Sequence, residues 1–291
     1  QAFTHLWTIK NGQLPDKSLA TVSNEVLGET KVELQDGHDT YYTDFGTYLA
    51  YAIKDVDLLP KLNSKNNAIE HYTAIQHIVG CDIRTTPHIT KILSVLALRD
   101  KDFNLQIPTK PRFTYEDYQG AEISAIQEAG IFDNVAILDI KAMYHSNVDL
   151  HNIGHETLSE DGVDCGNGTK FLQGKPSLLL RQMNNMTVLR EEYKEKMRNA
   201  TTVEERTRYD ALQFATKSMV ASLYGAAGDS KYGLYHPAVA SAITFTSRQT
   251  LARLREECEK RGHKVLYSHT DSAFVQTDSP EQTEKLVEEI N

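Results

Sequence analysis

The sequence predicts a mixed α+β fold, long helices around a small antiparallel sheet, and three features carry that expectation. Val265-Leu-Tyr-Ser-His-Thr-Asp-Ser-Ala-Phe-Val275 sets two short apolar runs about a polar turn at Asp271, which reads as a β-hairpin. Val135-Ala-Ile-Leu-Asp-Ile140 is an apolar run of strand length that closes on Asp139 and reads as a buried strand. Around these, apolar residues recur at helical spacing over 45–62, 176–199, 203–225 and 237–261, stretches too long for strands.

Residues 1 to about 70 are mixed in pattern. Their helical stretch from Phe45 to Leu62 puts Tyr51 and Asp55 one turn apart on one face. Residues 71–112 read as helical and then as loop, with Pro108 and Pro111 marking a connection. From Phe113 to about Lys170 the pattern gives the strand ending at Asp139 and a short helix after Tyr144. Pro176 is expected to open a helix running to about Asn199. On it Arg190 and Lys194, at i and i+4, present two cations together, while Glu191 and Glu195 are expected to face elsewhere. Thr201-Thr-Val-Glu204 gives the cap signature of the next helix, which begins near Val203 and for which Gly225 is the expected stop. The two helices read as an antiparallel pair. Lys217, Ala221 and Tyr224, at i, i+4 and i+7, share a face of the second. A helix from Pro237 to Arg261 leads to the hairpin, and another follows over 281–290.

The 291 residues suffice for a sizeable core and about two domains; 40% hydrophobic and 24% charged content fits a globular chain. No apolar run approaches the ~18 residues of a membrane span, and no stretch reads as a signal peptide, so neither feature is expected. Cys81, Cys165 and Cys258 are odd in number and lack zinc spacing, which points to a reducing, cytoplasmic compartment. A formal charge of −9 argues against a chain that coats nucleic acid indiscriminately, but 170–217 holds ten Lys/Arg against six Asp/Glu. The chain opens on Gln1 and stops inside an apparent helix, so it is expected to be a piece of a longer protein.

Two carboxylates from separate strands, Asp139 and Asp271, can share a pair of hard divalent cations, which clamp the attacking and leaving oxygens of a phosphoryl transfer. Taken alone, each is an ordinary strand-end or turn Asp. A cation, a small residue and an aromatic on one helical face (Lys217, Ala221, Tyr224) suit a triphosphate followed by a base pair.

In order and spacing the chain resembles the family B DNA polymerases. Asp139-Ile-Lys-Ala-Met-Tyr-His-Ser146 is similar to the first palm motif, D-F-x-S-L-Y-P-S. Lys217-Ser-Met-Val-Ala-Ser-Leu-Tyr-Gly225 resembles the fingers motif K-x-x-x-N-S-x-Y-G, and Tyr267-Ser-His-Thr-Asp-Ser272 the second palm motif Y-x-D-T-D-S. Tyr118-Gln-Gly-Ala121 matches the Y-x-G-G/A element between the proofreading and polymerising halves, and Tyr51-Ala-Ile-Lys-Asp55 the Y-x-x-x-D of the third exonuclease motif. The likeness runs from about residue 45 to the end. Three positions depart from it: Ala221 stands for the fingers Asn, His145 for the palm Pro, and His269 for the first Asp of Y-x-D-T-D-S.

The resemblance implies a palm with an antiparallel sheet and a helical fingers hairpin, preceded by the end of an RNase H-like exonuclease domain. The implied boundaries are 1–70 for that end, 71–112 for connecting helices, 113–170 and 227–291 for the palm, and 171–226 for the fingers, with no thumb. It implies template-directed addition of deoxynucleotides to a primer 3′-hydroxyl with two Mg²⁺ ions, for which Mn²⁺ can substitute. Asp139, Asp271 and the Ile140 carbonyl would hold metal. Lys217, Arg190 and Lys194 would grip the triphosphate, and Lys217 would act as proton donor. Tyr144 would lie flat under the sugar, with Ala142, Met143 and Ala221 lining the nucleotide. Tyr118, Gly120, Tyr224 and Gly225 would border the template, and Tyr51 and Asp55 would be vestiges of the exonuclease. At His269 an imidazole could still serve as ligand or hydrogen-bond partner. The implied partners are primer-template DNA, a deoxynucleoside triphosphate and a processivity factor, with no membrane. The compact spacing leans toward a nucleic-acid primer and a phage or mobile-element origin, hence a bacterial host cytoplasm. Two other classes stay open: a remnant proofreading exonuclease, and a degenerate polymerase that binds primer-template without extending it.

Overall fold

The computed structural model describes residues 2–108, 113–126 and 129–291; Pro111 lies outside them. The chain divides into two compact units, one of Gln1–His88 with Arg190–Thr216 and one of Ile89–Leu189 with Lys217–Asn291.

The first unit is helical: α1 (Ala2–Asn11), α2 (Leu19–Leu27), α3 (Thr40–Thr43), α4 (Phe45–Asn66) and α5 (Ala68–Val79). Local chemistry sets the ends. Ser18 and Asp44 cap α2 and α4 by accepting from the Thr21 and Thr47 amides, and Gly28 closes α2 at φ 69°. Leu6, Leu58, Leu62, Tyr72 and Ile75 form the buried interior. Across it Lys10 Nζ donates to the Asn66 carbonyl at 3.1 Å and lies over the Phe214 ring at 4.7 Å, while the buried His71 packs edge-on to that ring.

The second unit begins with α6 (Ile89–Arg99), β1 (Val135–Asp139), α7 (Met143–His151), β2 (Leu158–Asp164) and β3 (Lys170–Phe171). It ends with α10 (Pro237–Lys260), β4 (Val265–His269), β5 (Ser272–Gln276) and α11 (Pro280–Ile290). Two long helices, α8 (Leu178–Asn199) and α9 (Val203–Ala226), divide between the units. The fold is α+β, and its main sheet is antiparallel throughout in the order β1-β5-β4. Period-two alternation sends Ala136, Leu138, Ala273 and Val275 to one face, where they meet Leu254, Cys258, Leu286 and Ile290 of α10 and α11. The same alternation sends Ile137, Asp139, Ser272 and Phe274 to the other face.

Four expectations need correction. The Val135–Ile140 run is not a buried strand: it is the edge of the sheet, with only Leu138 buried and Ile137 61% exposed, because one face alone meets helices. Pro176 does not open α8. The buried Ser177 does, its hydroxyl accepting from the Leu180 amide at 3.1 Å. The cap of α9 is shifted by one, with Thr202 Oγ1 accepting from the Glu205 amide and the Glu205 carboxylate returning to Thr201 and Thr202. Gly225 does not stop α9, which continues to Ala226; its φ is not left-handed, and it stands exposed with open space beside it.

Candidate active site

The hairpin turn holds Asp271 by its backbone. Between the paired residues His269 and Ser272 only Thr270 and Asp271 remain, and Thr270 takes φ 56°, a region that a β-branched residue enters only under constraint. Bonds on both flanks supply the constraint. The Thr270 amide donates to the Glu122 carbonyl at 2.9 Å, and the Ile140 amide to the Asp271 carbonyl at 2.9 Å. Residues 118–124 brace the outer edge. Arg255 ties Glu122 to Ser268, Ser124 pairs with Ser268, and Arg248 and Thr244 of α10 donate to the Gln119 and Gly120 carbonyls.

Sheet register then puts Asp139 directly opposite Ser272. The Ser272 hydroxyl reaches Asp139 Oδ1 at 2.8 Å and Asp271 Oδ1 at 3.5 Å, so those oxygens are at most about 6.3 Å apart although 132 positions separate the residues. Neither acid has a basic partner among the described residues. Two neighbouring uncompensated carboxylates are a donor set that fits a hard divalent cation. Among the described residues no third His, Cys, Asp or Glu completes a cluster with them. His269 is exposed, and its Nδ1 shares a hydrogen bond with Thr270 Oγ1 at 3.1 Å, which leaves Nε2 uncommitted.

The turn into α7 follows Asp139. Ala142 sits at φ 52°, and Met143 is 2% exposed, so its side chain is core and only its backbone is left to meet a ligand. Tyr144 and Tyr224 stack face to face, ring centroids 4.1 Å apart and planes within 2°. One face of Tyr144 is thus covered by Tyr224, which leaves the other to meet a ligand. Burial, then Tyr224 and Asp271, push the Tyr144 hydroxyl up to about 12. His145 departs from the palm Pro but bonds Asn184 of α8 at 2.7 Å.

On α9, Lys217, Ala221 and Gly225 are exposed, and Lys217 has no ion pair among the described residues. Tyr118 packs its hydroxyl where any Cβ at Gly228 would come within 2.0 Å. Arg190 and Lys194 belong to the other unit. Lys194 pairs with Glu191 at 2.8 Å, so Glu191 does not face elsewhere; i, i+3 residues are neighbours too. Tyr51 and Asp55 converge, but on Lys31, whose Nζ lies 2.8 Å from Asp55 Oδ2, 3.4 Å from the Tyr51 hydroxyl and 4.7 Å over its ring.

The bridging role of Ser272 went unread in the sequence, although the pairing of a strand closing on Asp139 with the hairpin would have exposed it. Lys31, Arg248 and Arg255 gave no signal, lying in an irregular segment and on an ordinary helix.

The family model for DNA polymerase family B matches residues 81–290. DNA polymerase 1 of Sulfolobus acidocaldarius is 26% identical over 311 residues, covering 95% of this chain and 34% of that protein. The DNA polymerase of Paramecium bursaria Chlorella virus NY2A is 27% identical over 316 residues, covering 94% and 34%. A solved family B DNA polymerase from Pyrobaculum calidifontis superposes with a TM-score of 0.70 at 21% identity, over 98% of this chain and 40% of that one, a likeness of fold. An α+β chain with one acid at a strand end and a second in the adjoining hairpin turn is thus matched by one family over most of its length. The chain belongs to the family B DNA polymerases. It spans about a third of the length of the curated relatives it matches.

Proposed function

We propose that this chain serves template-directed DNA synthesis, the transfer of a deoxynucleotide to a primer 3′-hydroxyl. The observation that carries the proposal is the Ser272 hydroxyl spanning Asp139 and Asp271, two acids without basic partners. Asp139, Asp271 and the Ile140 carbonyl would hold two divalent cations, magnesium with manganese as substitute. When bound, such ions lower the pKa of the primer hydroxyl and offset the charge of the triphosphate and departing pyrophosphate.

The residues' own part is positioning, which supplies most of the catalysis in phosphoryl transfer. Ser272 keeps the two acids in fixed relation. Lys217 meets the triphosphate and gives a proton to the leaving pyrophosphate. The role of Arg190 and Lys194 rests on the family pattern alone. Ala142, Met143 and Ala221 border the nucleotide, the Met143 contribution being its backbone; Tyr144 excludes a ribose 2′-hydroxyl. Tyr118, Gly120, Tyr224 and Gly225 border the template. The domain boundaries 1–70, 71–112, 113–170 with 227–291, and 171–226 stand as part of this proposal, as does a processivity partner. No helix among the described residues is long and apolar enough to cross a membrane.

One observation favours a second reading, primer-template binding without extension: among the described residues only two carboxylates converge, with His269 where the family has an acid. At Tyr51 and Asp55, the ion pair with Lys31 supports a structural role.

The test is primer extension with and without Mg²⁺, paired with calorimetric binding of dATP to a dideoxy-terminated primer-template complex. Extension and Mg²⁺-dependent binding are expected, both lost in Asp271→Asn with duplex binding kept. Binding of nucleotide without extension selects the second reading. Duplex affinity lost in step with activity in Asp271→Asn overturns the assigned role.

A further inference from the structure

We propose that Tyr224 is the positioning residue for Tyr144, and that discrimination against a ribose is set by the stacked pair, not by Tyr144 alone. This rests on the nucleotide-site reading above and adds a second residue to it.

The geometry is specific. With centroids 4.1 Å apart and planes within 2°, the two rings sit in direct van der Waals contact over their faces. Both are half-buried, and they come from different helices, Tyr144 from the first turn of α7 and Tyr224 from the end of α9. Aromatic pairs prefer offset or edge-on arrangements. Parallel planes at this centroid distance fit the offset arrangement, so the stack is itself an attractive contact. Met143, adjacent to Tyr144, is anchored in the core at 2% exposure, and Leu223, adjacent to Tyr224, is 5% exposed, so both backbones are fixed. The Tyr118 hydroxyl fits into the space that Gly228, four residues after Tyr224, leaves open.

A ring that excludes a hydroxyl by shape must not swing aside, since rejection by shape fails as soon as the ring yields. Nothing on the Tyr144 side alone prevents that; its hydroxyl has no hydrogen bond among the described residues. Tyr224 covers one face and blocks rotation in that direction. The strength typical of an aromatic pair gives roughly a two- to tenfold bias toward one ring position. The support is the ring, not the Tyr224 hydroxyl.

The test measures binding, so it does not depend on turnover. The full chain, with a dideoxy-terminated primer-template presenting a templating thymine, is titrated with dATP and with ATP in Mg²⁺. The quantity read is the ratio of the two Kd values. Tyr144→Ala should bring the ratio close to one. Tyr224→Leu should lower it roughly two- to tenfold, mainly by tightening ATP, and Tyr224→Phe should restore it. Tyr224→Met stands in if the Leu variant fails to fold by circular dichroism. A ratio that stays constant in both non-aromatic variants, with dATP and ATP weakened equally, overturns the proposal and leaves Tyr224 a template-side contact. A ratio unmoved in Tyr144→Ala defeats the gate itself, a separate failure. Binding of neither nucleotide by the unsubstituted chain defeats the site reading and this proposal with it.

Discussion

At the residue scale one hydroxyl lies beside both acids. Ser272 follows Asp271 in sequence and faces Asp139 across the ladder, so its Oγ donates to Asp139 Oδ1 at 2.8 Å while lying 3.5 Å from Asp271 Oδ1. Like charges this close repel when unpaired, and a donor between them offsets part of that cost. Groups that orient metal-binding carboxylates typically matter to affinity by roughly 10- to 100-fold. Ser272→Ala is therefore expected to weaken Mg²⁺ or Mn²⁺ binding by about tenfold or more while leaving the melting temperature almost unchanged, since the residue is only half-buried. Manganese titration followed by electron paramagnetic resonance measures this directly. Unchanged affinity would mean that Ser272 merely decorates the turn. Lys31 presents the opposite case: it brings a cation of its own to Asp55, and a carboxylate already paired at 2.8 Å has less to offer a metal.

At the element scale, α9 combines two demands on one glycine. Gly225 is exposed, helical, without a left-handed φ, and an added methyl would meet nothing within 4 Å. Glycine in a helix costs up to about 1 kcal/mol relative to alanine. Gly225→Ala should thus raise stability by a few tenths to about 1 kcal/mol. If the open space beside it admits a templating strand, the same change should weaken primer-template binding. Denaturant midpoints and duplex affinity, measured together, decide: a gain in both would remove Gly225 from the template surface. How much of these elements the sequence disclosed follows from range. The long helices, the hairpin and the strand ending at Asp139 were legible because periodicity and turn chemistry are local. The opening of α8 at Ser177 was masked by the neighbouring Pro176, a stronger local signal than a serine whose cap bond forms only on folding. That β1 is an edge strand was not legible, because a five-residue apolar run looks the same whether one face or two are covered. The pairing of the acids was foreseen from motif order; the hydroxyl that joins them needed the register.

At the scale of the whole molecule, each compact unit hides an imidazole. His71, 4% exposed, lies in the unit of Gln1–His88 with Arg190–Thr216; His155 lies in the other, beside Tyr232 and His236, its Nε2 buried without a partner among the described residues. Burial holds both at about 4, well below the usual 6.5, with Lys10 and His5 adding to the effect at His71 and His236 at His155. The sign follows from linkage. Between pH 6.5 and 4 the unfolded chain binds protons that the folded chain refuses, so stability rises with pH across that window. The contribution is fully present above about 6.5 and is lost as pH falls through about 4, by up to roughly 3 kcal/mol per imidazole. Because the two histidines sit in different units, the loss should be separable. Hydrogen exchange read by mass spectrometry at pH 7.0 and 5.0 should show faster opening of both units at the lower pH. His71→Leu should flatten that dependence for Gln1–His88 and Arg190–Thr216, and His155→Leu for Ile89–Leu189 and Lys217–Asn291. A dependence that persists unchanged in both variants would assign acid sensitivity to other groups, and one that vanishes everywhere on a single substitution would show that the units open as one.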